Sequence, residues 1–442
     1  MSKGFRKPVK RIKGKKKSVG SAPGASSSHA GPRTPSMELS ARDKAKARVA
    51  QIEIYATTAV SFLLLVMACA HWFTDVRQRV ATFQWLQGVW DVYEQYASVP
   101  RRPSHTSWDS WCDLVHSFTS SCFFLSGATN KSVVADGWEH VRSLWTTSPS
   151  SPKTMYRRDP RDVLFATTWG MVFFVVRFVL MQCFLLPLGR LLVSRPTTAR
   201  DKAHYQAQLQ RRIARFGQQA WILILYSVSL IFVVRVIQRQ PFWIWKPQYF
   251  WLDYPATTTD ALTKAVYLWE ASNYIHQVFV INLEERRSDF WQMLIHHFVT
   301  LLLIGGSYAC CFHYVGISIL FLMDPADICL SIAKLFKYMG FSTFCDVLFA
   351  IFMLVWIITR HVGYAFVWWS CFKDAPALIS FTNQLDLASG HMLTRTTYVF
   401  FLILLTALQA ILLIWFSMIV NIAVRVLTQQ GAVDTRSDDD SD

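Results

Sequence analysis

Eight apolar stretches alternate with polar segments along the chain, and each has the length of about 20 residues that an α-helix needs to cross the hydrocarbon core of a bilayer. The fourth stretch is interrupted by Lys264, Glu270 and His276. The pattern predicts an all-α polytopic membrane protein with about eight transmembrane helices. The spans are expected at approximately residues 53–73, 163–187, 220–237, 261–282, 291–311, 314–333, 345–369 and 397–420.

The composition agrees with this fold class. Hydrophobic residues make up 52% of the 442 residues, charged residues make up 17%, and the mean hydropathy is +0.24. Such a chain is too apolar for an ordinary soluble domain. The net charge of +16 would suit nucleic acid, but much of the excess lies in the first 50 residues beside Ser, Gly and Pro. That tail is typical of a disordered cytosolic segment, so we expect membrane lipids and no nucleic acid as partners.

An even number of spans places both termini on one side of the membrane, and the basic tail marks that side as cytosolic. The loop 188–219 agrees, because it carries seven Arg or Lys residues against one Asp. The predicted order is a disordered basic tail (1–52), a first anchor (53–73), a lumenal loop (74–162), a second span with a basic cytosolic linker (163–208), six further spans, and an acidic cytosolic tail (431–442).

This topology suggests three modifications. Asn130 begins an Asn-Lys-Ser sequon in the lumenal loop and is a candidate for N-glycosylation. Cys112 and Cys122 lie in the same loop, where the oxidising compartment would permit a disulfide between them. Ser437 precedes acidic residues, as an acid-directed kinase requires, and the alternative for this tail is a merely solvated segment.

Four ionisable side chains lie inside the consecutive fifth and sixth spans, where they are costly and therefore candidate functional groups. His296 and His297 lie in the fifth span, and their rings point differently because adjacent helical positions diverge by about 100°. Asp324 and Asp327 lie three residues apart in the sixth span and share a helix face. Pro325 between them leaves a backbone carbonyl free, and we expect a local kink that opens room for a substrate.

Imidazole and carboxylate groups together suit acyl transfer. An imidazole can take a proton from an amine or accept the acyl group, and a carboxylate can hold its tautomer. We predict His296, His297, Asp324 and Asp327 as catalytic residues, with His296 preferred as the reacting group. The spacing matches no usual ligand pattern, so neither a metal nor another resident cofactor is expected. The structural alternative is that these groups are packing residues with satisfied hydrogen bonds.

Other polar residues lie close to this group in the sequence. Arg286 and Arg287 precede the fifth span, where they would either bind a phosphate-rich ligand from the cytosol or anchor the loop at the interface. Asp289 lies two turns before His296. Glu270 in the fourth span and Arg360 in the seventh would either contact the substrate or pair with each other across the bundle.

The segment 284–338 resembles the Lag motif of ceramide synthases. Thirteen residues follow the order and spacing of the family pattern, and the resemblance depends on them. They are Arg286, Arg287, Asp289, Phe290, His296, His297, Ser307, Tyr308, Asp324, Asp327, Ala333, Lys334 and Tyr338. Met323 is a departure, because the family usually has a histidine there. The wider resemblance covers residues 209–430 and implies a six-span TLC domain that encloses an elongated intramembrane cavity.

The resemblance implies transfer of a fatty acyl group from acyl-CoA to the amine of a sphingoid base in the endoplasmic reticulum membrane, which forms ceramide or dihydroceramide. It also implies an influence of the last lumenal loop, residues 370–396, on acyl-chain length. The residues assigned to substrate binding are Arg286, Arg287, Asp289, Ser307, Tyr308, Lys334, Glu270 and Arg360.

Two other functions stay open at this point. One is a non-catalytic TLC-type protein in lipid sensing or translocation, and the other is a proton-coupled transporter that uses the histidines and aspartates as a relay. The sequence also leaves open whether the protein forms a homodimer or binds an accessory membrane subunit.

Overall fold

A computed structural model describes residues 35–82, 107–128, 155–196, 202–240, 246–252, 254–284, 288–382 and 392–428. Long helices dominate these residues. They are α1 (Pro35–Thr82), α2 (Ser107–Phe123), α3 (Asp162–Leu180), α4 (Leu186–Leu192), α5 (Lys202–Arg239), α6 (Tyr249–Leu252), α7 (Ala261–Leu283), α8 (Phe290–Ala309), α9 (His313–Met339), α10 (Ser342–Trp356), α11 (Tyr364–Leu378) and α12 (Arg395–Leu427). The chain divides into two compact units, Met1–Ala50 and Gln51–Asp442, and every site described below lies in the second.

Within the described residues, seven helical stretches are long and apolar enough to cross a membrane, which makes the chain a multi-pass membrane protein. They are Arg48–Asp75, Asp162–Leu192, His204–Arg239, Phe290–Ala309, His313–Met339, Ser342–Leu378 and Arg395–Arg425. Two of them contain a π-helical turn, at Met181–Leu185 and Ile357–Gly363. Seven of the eight predicted spans are thereby confirmed.

The predicted fourth span forms helix α7 but is too polar to count among those seven. Its polar residues Lys264, Glu270, Ser272, Asn273 and His276 are all buried inside the protein. A helix that faces protein on most sides can carry polar groups that a helix facing lipid cannot. The lower hydropathy of α7 therefore reflects an interior position in the bundle.

Several predicted boundaries differ from those of the structure. Helix α1 begins at Pro35, so the last part of the expected disordered tail (1–52) is helical, in keeping with its many Ala, Lys and Arg residues. Helix α5 begins at Lys202, inside the expected linker (163–208). The expected lumenal loop contains α2, which carries both Cys112 and Cys122. The predicted disulfide is wrong: both cysteines are free, and ten residues of helix separate them by about 15 Å.

A short sheet and a buried ion pair hold the predicted lumenal ends of α3 and α7 together. Strands β1 (Met155–Arg157) and β2 (Thr258–Asp260) pair in antiparallel fashion. The ammonium of Lys264 lies 2.8 Å from Asp162 Oδ2, and it also donates hydrogen bonds to two backbone carbonyls. The lysine that interrupts the fourth apolar stretch is thus neutralised by the second span.

A second ion-pair cluster lies at the opposite, predicted cytosolic end. Arg177 of α3 is buried and donates hydrogen bonds to Glu53 of α1 at 2.9 Å and to Glu284, after the end of α7, at 2.7 Å. One guanidinium can bind two carboxylates because its donors form a fixed fork. The cluster joins the first two spans to the beginning of the segment that resembles the Lag motif.

Candidate active site

A cavity lies among α7, α8, α9, α11 and α12. Its wall is mostly apolar and includes Leu303, Ile304, Leu320, Phe401 and Leu405. The residues on the wall that carry a hydroxyl or an imidazole group are Tyr267, Tyr274, His296, Thr300, Ser307 and Tyr398. Eleven residues of α8 separate His296 from Ser307, so the wall runs along about 17 Å of that helix. This is the elongated cavity that the family resemblance implies.

The two predicted histidines have different environments. His296 lies on the cavity wall, with its ring edge-on to Trp415 at 5.2 Å between centroids. His297 is buried behind it, with its ring centroid 5.4 Å from that of His296 and 5.5 Å from that of Tyr274. Neither Nδ1 atom has a hydrogen-bond partner among the described residues. The structure therefore presents His296 to the cavity and uses His297 in the packing around it.

The two predicted aspartates also differ. Asp327 Oδ2 accepts a hydrogen bond of 2.5 Å from Arg360 Nη2, which also donates to the carbonyl of Met323 at 2.8 Å. The guanidinium lies 4.1 Å from the centroid of the Trp356 ring. The π-helical turn after α10 carries Arg360, and such turns are frequent at functional sites. Asp327 is thus charge-compensated by Arg360 rather than by an imidazole.

Asp324 is almost fully buried, and neither of its carboxylate oxygens has a hydrogen-bond partner among the described residues. Glu270 on α7 is buried to the same degree, beside the side chains of Ser229 and Asn273. The predicted pairing of Glu270 with Arg360 is wrong, because Arg360 binds Asp327 instead, one turn along α9 from Asp324.

The serine and tyrosine of the motif point to different parts of the molecule. Ser307 lies on the cavity wall, makes a short hydrogen bond with the hydroxyl of Tyr267 and donates to the carbonyl of Leu303. The hydroxyl of Tyr308 donates to Asp162 at 2.6 Å, outside the wall. Tyr308, which we predicted to bind substrate, therefore belongs to the ion-pair network at the predicted lumenal end.

The remaining predicted residues lie away from the cavity or outside the described part of the chain. Asp289 is buried immediately before α8, and Lys334 is partly buried on the last third of α9. Neither residue lines the cavity. Arg286, Arg287, Asn130 and Ser437 lie outside the described residues.

Aromatic residues from other elements complete the cavity, and our sequence analysis did not select them. Trp251 of α6, Phe312 before α9 and Phe401 of α12 form its end near the predicted lumenal loop, and the rings of Phe312 and Phe401 meet edge to face at 4.7 Å. Tyr267 and Tyr274 lie seven residues apart, one on each side of Glu270, and so share a face of α7. That spacing is a sequence signal for the inner face of α7.

The thiols nearest this end are not suited to nucleophilic catalysis. Cys310 and Cys311 are buried in the turn between α8 and α9. Burial raises the pKa of the Cys310 thiol to about 11, and it also raises the pKa of Cys311. Both thiols are therefore protonated at neutral pH, whereas the reactive species would be the thiolate. The imidazole of His296 is the more suitable base or nucleophile on the cavity wall.

Comparison with known proteins gives the same family that the motif indicates. A family model described as the TLC domain matches residues 215–421. The chain is 33% identical over 295 residues to the sphingosine N-acyltransferase lag1 of Schizosaccharomyces pombe, covering 67% of this chain and 72% of that protein. It is 29% identical to the ceramide synthase LAG1 of Saccharomyces cerevisiae, covering 65% of this chain and 66% of that protein.

The similarity extends to plants. Ceramide synthase 1 of Arabidopsis thaliana is 27% identical to this chain over 312 residues, which cover 69% of this chain and 97% of that protein. The matched region of the TLC model lies inside the predicted range 209–430 and contains all the cavity-lining residues, from Trp251 to Leu408. The chain belongs to the ceramide synthase (sphingosine N-acyltransferase) family of TLC-domain membrane proteins.

Proposed function

We propose that this protein is a ceramide synthase, an acyltransferase that moves a fatty acyl group from acyl-CoA to the amine of a sphingoid base. The observation that carries the proposal is the imidazole of His296 on the wall of a long apolar cavity within the bundle. Buried carboxyl groups lie on α7 and α9, the two helices that precede and follow α8 in the chain and pack against it. An apolar cavity can bind an acyl chain, and an imidazole can carry out the proton transfer that amide formation needs.

Each part of the reaction has a place in this arrangement. The acyl chain lies along the apolar wall between His296 and the aromatic end at Phe312, and the thioester carbonyl is held beside His296. The coenzyme A portion stays at the cytosolic face, where Arg286 and Arg287 bind its phosphates. Asp289, Lys334 and Ser307 remain candidates for contacts with the polar parts of the substrates.

In the reaction, the amine nitrogen of the sphingoid base attacks the thioester carbonyl. The new C–N bond forms, the C–S bond breaks, and a proton passes from the nitrogen to His296 and then to the departing thiolate, which leaves as coenzyme A. Alternatively, His296 accepts the acyl group first and the amine attacks the acyl-imidazole. In both routes Asp324 and the Asp327–Arg360 pair tune the charge around the imidazole, and His297 supports its position.

We further propose the endoplasmic reticulum membrane as the location, with both termini in the cytosol. The basic N-terminal tail and the basic loop before α5 support this orientation through the positive-inside rule. It places the Arg286–Arg287 segment on the side where acyl-CoA is soluble. A homodimer or an accessory membrane subunit would bind the outer, lipid-facing surfaces without altering this arrangement.

Membranes that contain the full chain test the proposal. They are incubated with labelled sphinganine and a fatty acyl-CoA, and the lipids are separated and identified by mass. We expect labelled N-acyl sphinganine that depends on both substrates and is absent from membranes without the protein. If the protein is inserted at a comparable level and no amide product forms with any acyl-CoA tested, the proposal is refuted.

The two other functions make different predictions. A lipid-sensing or translocation protein would form no amide product, and a proton-coupled transporter would move a solute in response to a pH gradient. Neither function accounts for similarity to proteins named as sphingosine N-acyltransferases. The acyltransferase is therefore the function that the family membership and the cavity support together.

A further inference from the structure

Thr300 of α8 carries a buried hydroxyl group that no described residue binds. The residue has a relative exposure of 8%, and its Oγ1 atom has no hydrogen-bond partner among the described residues. A threonine inside a helix can donate to the backbone carbonyl four residues earlier. Thr74, Thr119 and Thr406 do so in this protein, at 2.7 to 2.9 Å. A buried hydroxyl without an acceptor is costly, so we expect a ligand to supply one.

Thr300 lies on the cavity wall, one helical turn from His296, which also lines the cavity. Side chains four positions apart on a helix lie one above the other, with about 5–6 Å between their Cβ atoms. A carbonyl group held between these two side chains is therefore within reach of both. In the proposed orientation, the acyl chain runs from His296 toward Phe312, so the thioester carbonyl lies at the beginning of this path, beside Thr300.

The other hydroxyl groups that line the cavity farther from His296 already have protein partners. Ser307 donates to a backbone carbonyl of its own helix at 2.6 Å and makes a short hydrogen bond with Tyr267. Tyr398 donates to a backbone carbonyl of α11 at 3.1 Å. Ser307 is also three turns of α8, or about 17 Å, away from His296. Thr300 thus combines a position beside the imidazole with a donor that the described residues leave unused.

We propose that Thr300 is a further catalytic residue, whose hydroxyl group donates a hydrogen bond to the carbonyl oxygen of the fatty acyl group. This inference rests on the proposed function and adds the group that stabilises the negative charge formed during acyl transfer. A donor that is fixed in place before the reaction lowers the barrier because the charge on the oxygen develops against it. The mostly apolar wall strengthens this bond, since a low dielectric weakens electrostatic interactions less than water does.

The hydrogen bond acts on the tetrahedral intermediate. When the amine nitrogen attacks the thioester carbonyl carbon, the π electrons of the carbonyl move to its oxygen, which becomes negatively charged. Thr300 donates its hydrogen bond to this oxygen and keeps its own proton. The electrons then return, the C–S bond breaks, and the electron pair leaves with the sulfur. The proton that His296 takes from the amine passes to this thiolate, so Thr300 is unchanged when coenzyme A leaves.

The first experiment separates kcat from KM for four variants of the full chain in membranes. Thr300→Val replaces the hydroxyl by a methyl group of similar size, and Thr300→Ala removes it without adding a methyl group. Thr300→Ser keeps the hydroxyl. Thr167→Val is the matched control, because Thr167 is exposed on α3 and donates to the carbonyl of its own helix at 2.9 Å. Insertion of every variant is measured, and rates are given per inserted protein.

We expect Thr300→Val and Thr300→Ala to lower kcat about a hundredfold, which is typical for the loss of one donor to a developing oxyanion. The KM values for acyl-CoA and sphinganine should change little, because the bond is strongest in the transition state. Thr300→Ser should recover most of the rate, and Thr167→Val should match the wild type. Unchanged kcat in Thr300→Val or Thr300→Ala, or a loss confined to the KM for sphinganine, overturns the proposal.

Infrared spectroscopy of a bound ligand gives a second test that does not depend on turnover. An acyl-CoA analogue with a methylene group in place of the thioester sulfur is a ketone, which keeps the carbonyl but cannot transfer its acyl group. With ¹³C at that carbonyl, its stretching band is distinguished from those of the protein. A hydrogen bond lowers the stretching frequency, so the band should lie higher in Thr300→Val than in the wild type, Thr300→Ser and Thr167→Val.

Tyr274 is the rival donor, because its ring contacts that of His296 at 6.5 Å between centroids. A band that shifts in Tyr274→Phe and stays in place in Thr300→Val overturns the proposal. Failure of the wild type to form any amide would refute the proposed function. Normal amide formation by the wild type, Thr300→Val and Thr300→Ala would refute only the role of Thr300.

Discussion

Phe401 lies on the cavity wall near the aromatic end formed with Phe312, and its removal should change which acyl chains the enzyme uses. Its ring is buried, packs edge to face on Phe312 at 4.7 Å and lines the cavity. Gly306 lies beneath it, because a Cβ atom there would come within 2.6 Å of the ring. Phe401→Ala should therefore lengthen the cavity in the direction of the predicted lumenal loop.

The expected size of the effect follows from the burial of methylene groups. Each additional CH₂ that enters the apolar space is worth about 0.8 kcal/mol, or about a fourfold change in relative kcat/KM. Two further methylenes thus favour the longer chain by about 15-fold. Gly306→Ala should have the opposite effect, because its methyl group pushes the Phe401 ring into the cavity.

The assay offers membranes an equimolar mixture of saturated acyl-CoAs with labelled sphinganine and measures the chain lengths of the products by mass. Phe400→Ala is the matched control, because that ring is 47% exposed on the outer side of the same helix. We expect Phe401→Ala to shift the products to longer chains and Phe400→Ala to leave them unchanged. An unchanged distribution for Phe401→Ala, in protein that is inserted and active, would refute the position assigned to the acyl chain.

Three further predictions concern the groups around the cavity. Lys264→Met should lower the free energy of unfolding of the detergent-solubilised protein by about 3–5 kcal/mol, because it leaves Asp162 buried without a cation. The double variant Lys264→Met, Asp162→Asn should recover most of that loss. Equal stability of the wild type and both variants would contradict the buried pair. Arg360→Lys should lower acyl transfer about tenfold or more, since an ammonium lacks the planar group that lies over the Trp356 ring while Nη2 binds Asp327 and Met323; unchanged turnover would show that the pair has no part in the reaction. Burial raises the pKa of the Cys310 thiol to about 11, so this thiol stays protonated in the folded protein until the pH approaches that value. Alkylation of Cys310 at pH 8 should therefore be about a hundredfold slower in the folded protein than after denaturation. Equal alkylation rates would contradict the burial of Cys310.

Much of the fold could be predicted because a bilayer imposes a simple length rule on apolar helices. The predicted fifth span, 291–311, is observed as Phe290–Ala309. The rule works less well where a helix is surrounded by protein, as α7 shows, because polar residues are permitted there. It also fails at the ends of spans, since α5 continues as a helix beyond the membrane to Lys202. Helix propensity, which hydropathy does not measure, decides those ends.

The partners of the polar groups could not be predicted from the sequence. Asp324 and Asp327 share a helix face, yet only Asp327 receives Arg360, because the π-helical turn sets the direction of the guanidinium. Tyr308 is adjacent to the cavity-lining Ser307 but points toward Asp162, since consecutive helical positions diverge by about 100°. These outcomes depend on the rotation of whole helices against each other, which short-range sequence patterns do not encode.

The most direct test of the account is the activity of His296→Ala compared with the wild type, with protein inserted at equal levels. Removal of a general base or acyl acceptor should lower the rate of N-acyl sphinganine formation by about a hundredfold or more. His204→Ala is the control, because that histidine lies on α5, outside the cavity, and bonds to Gln208. A large loss for His296→Ala with normal activity for His204→Ala is the predicted result, and full activity in both His296→Ala and His297→Ala would contradict the central claim.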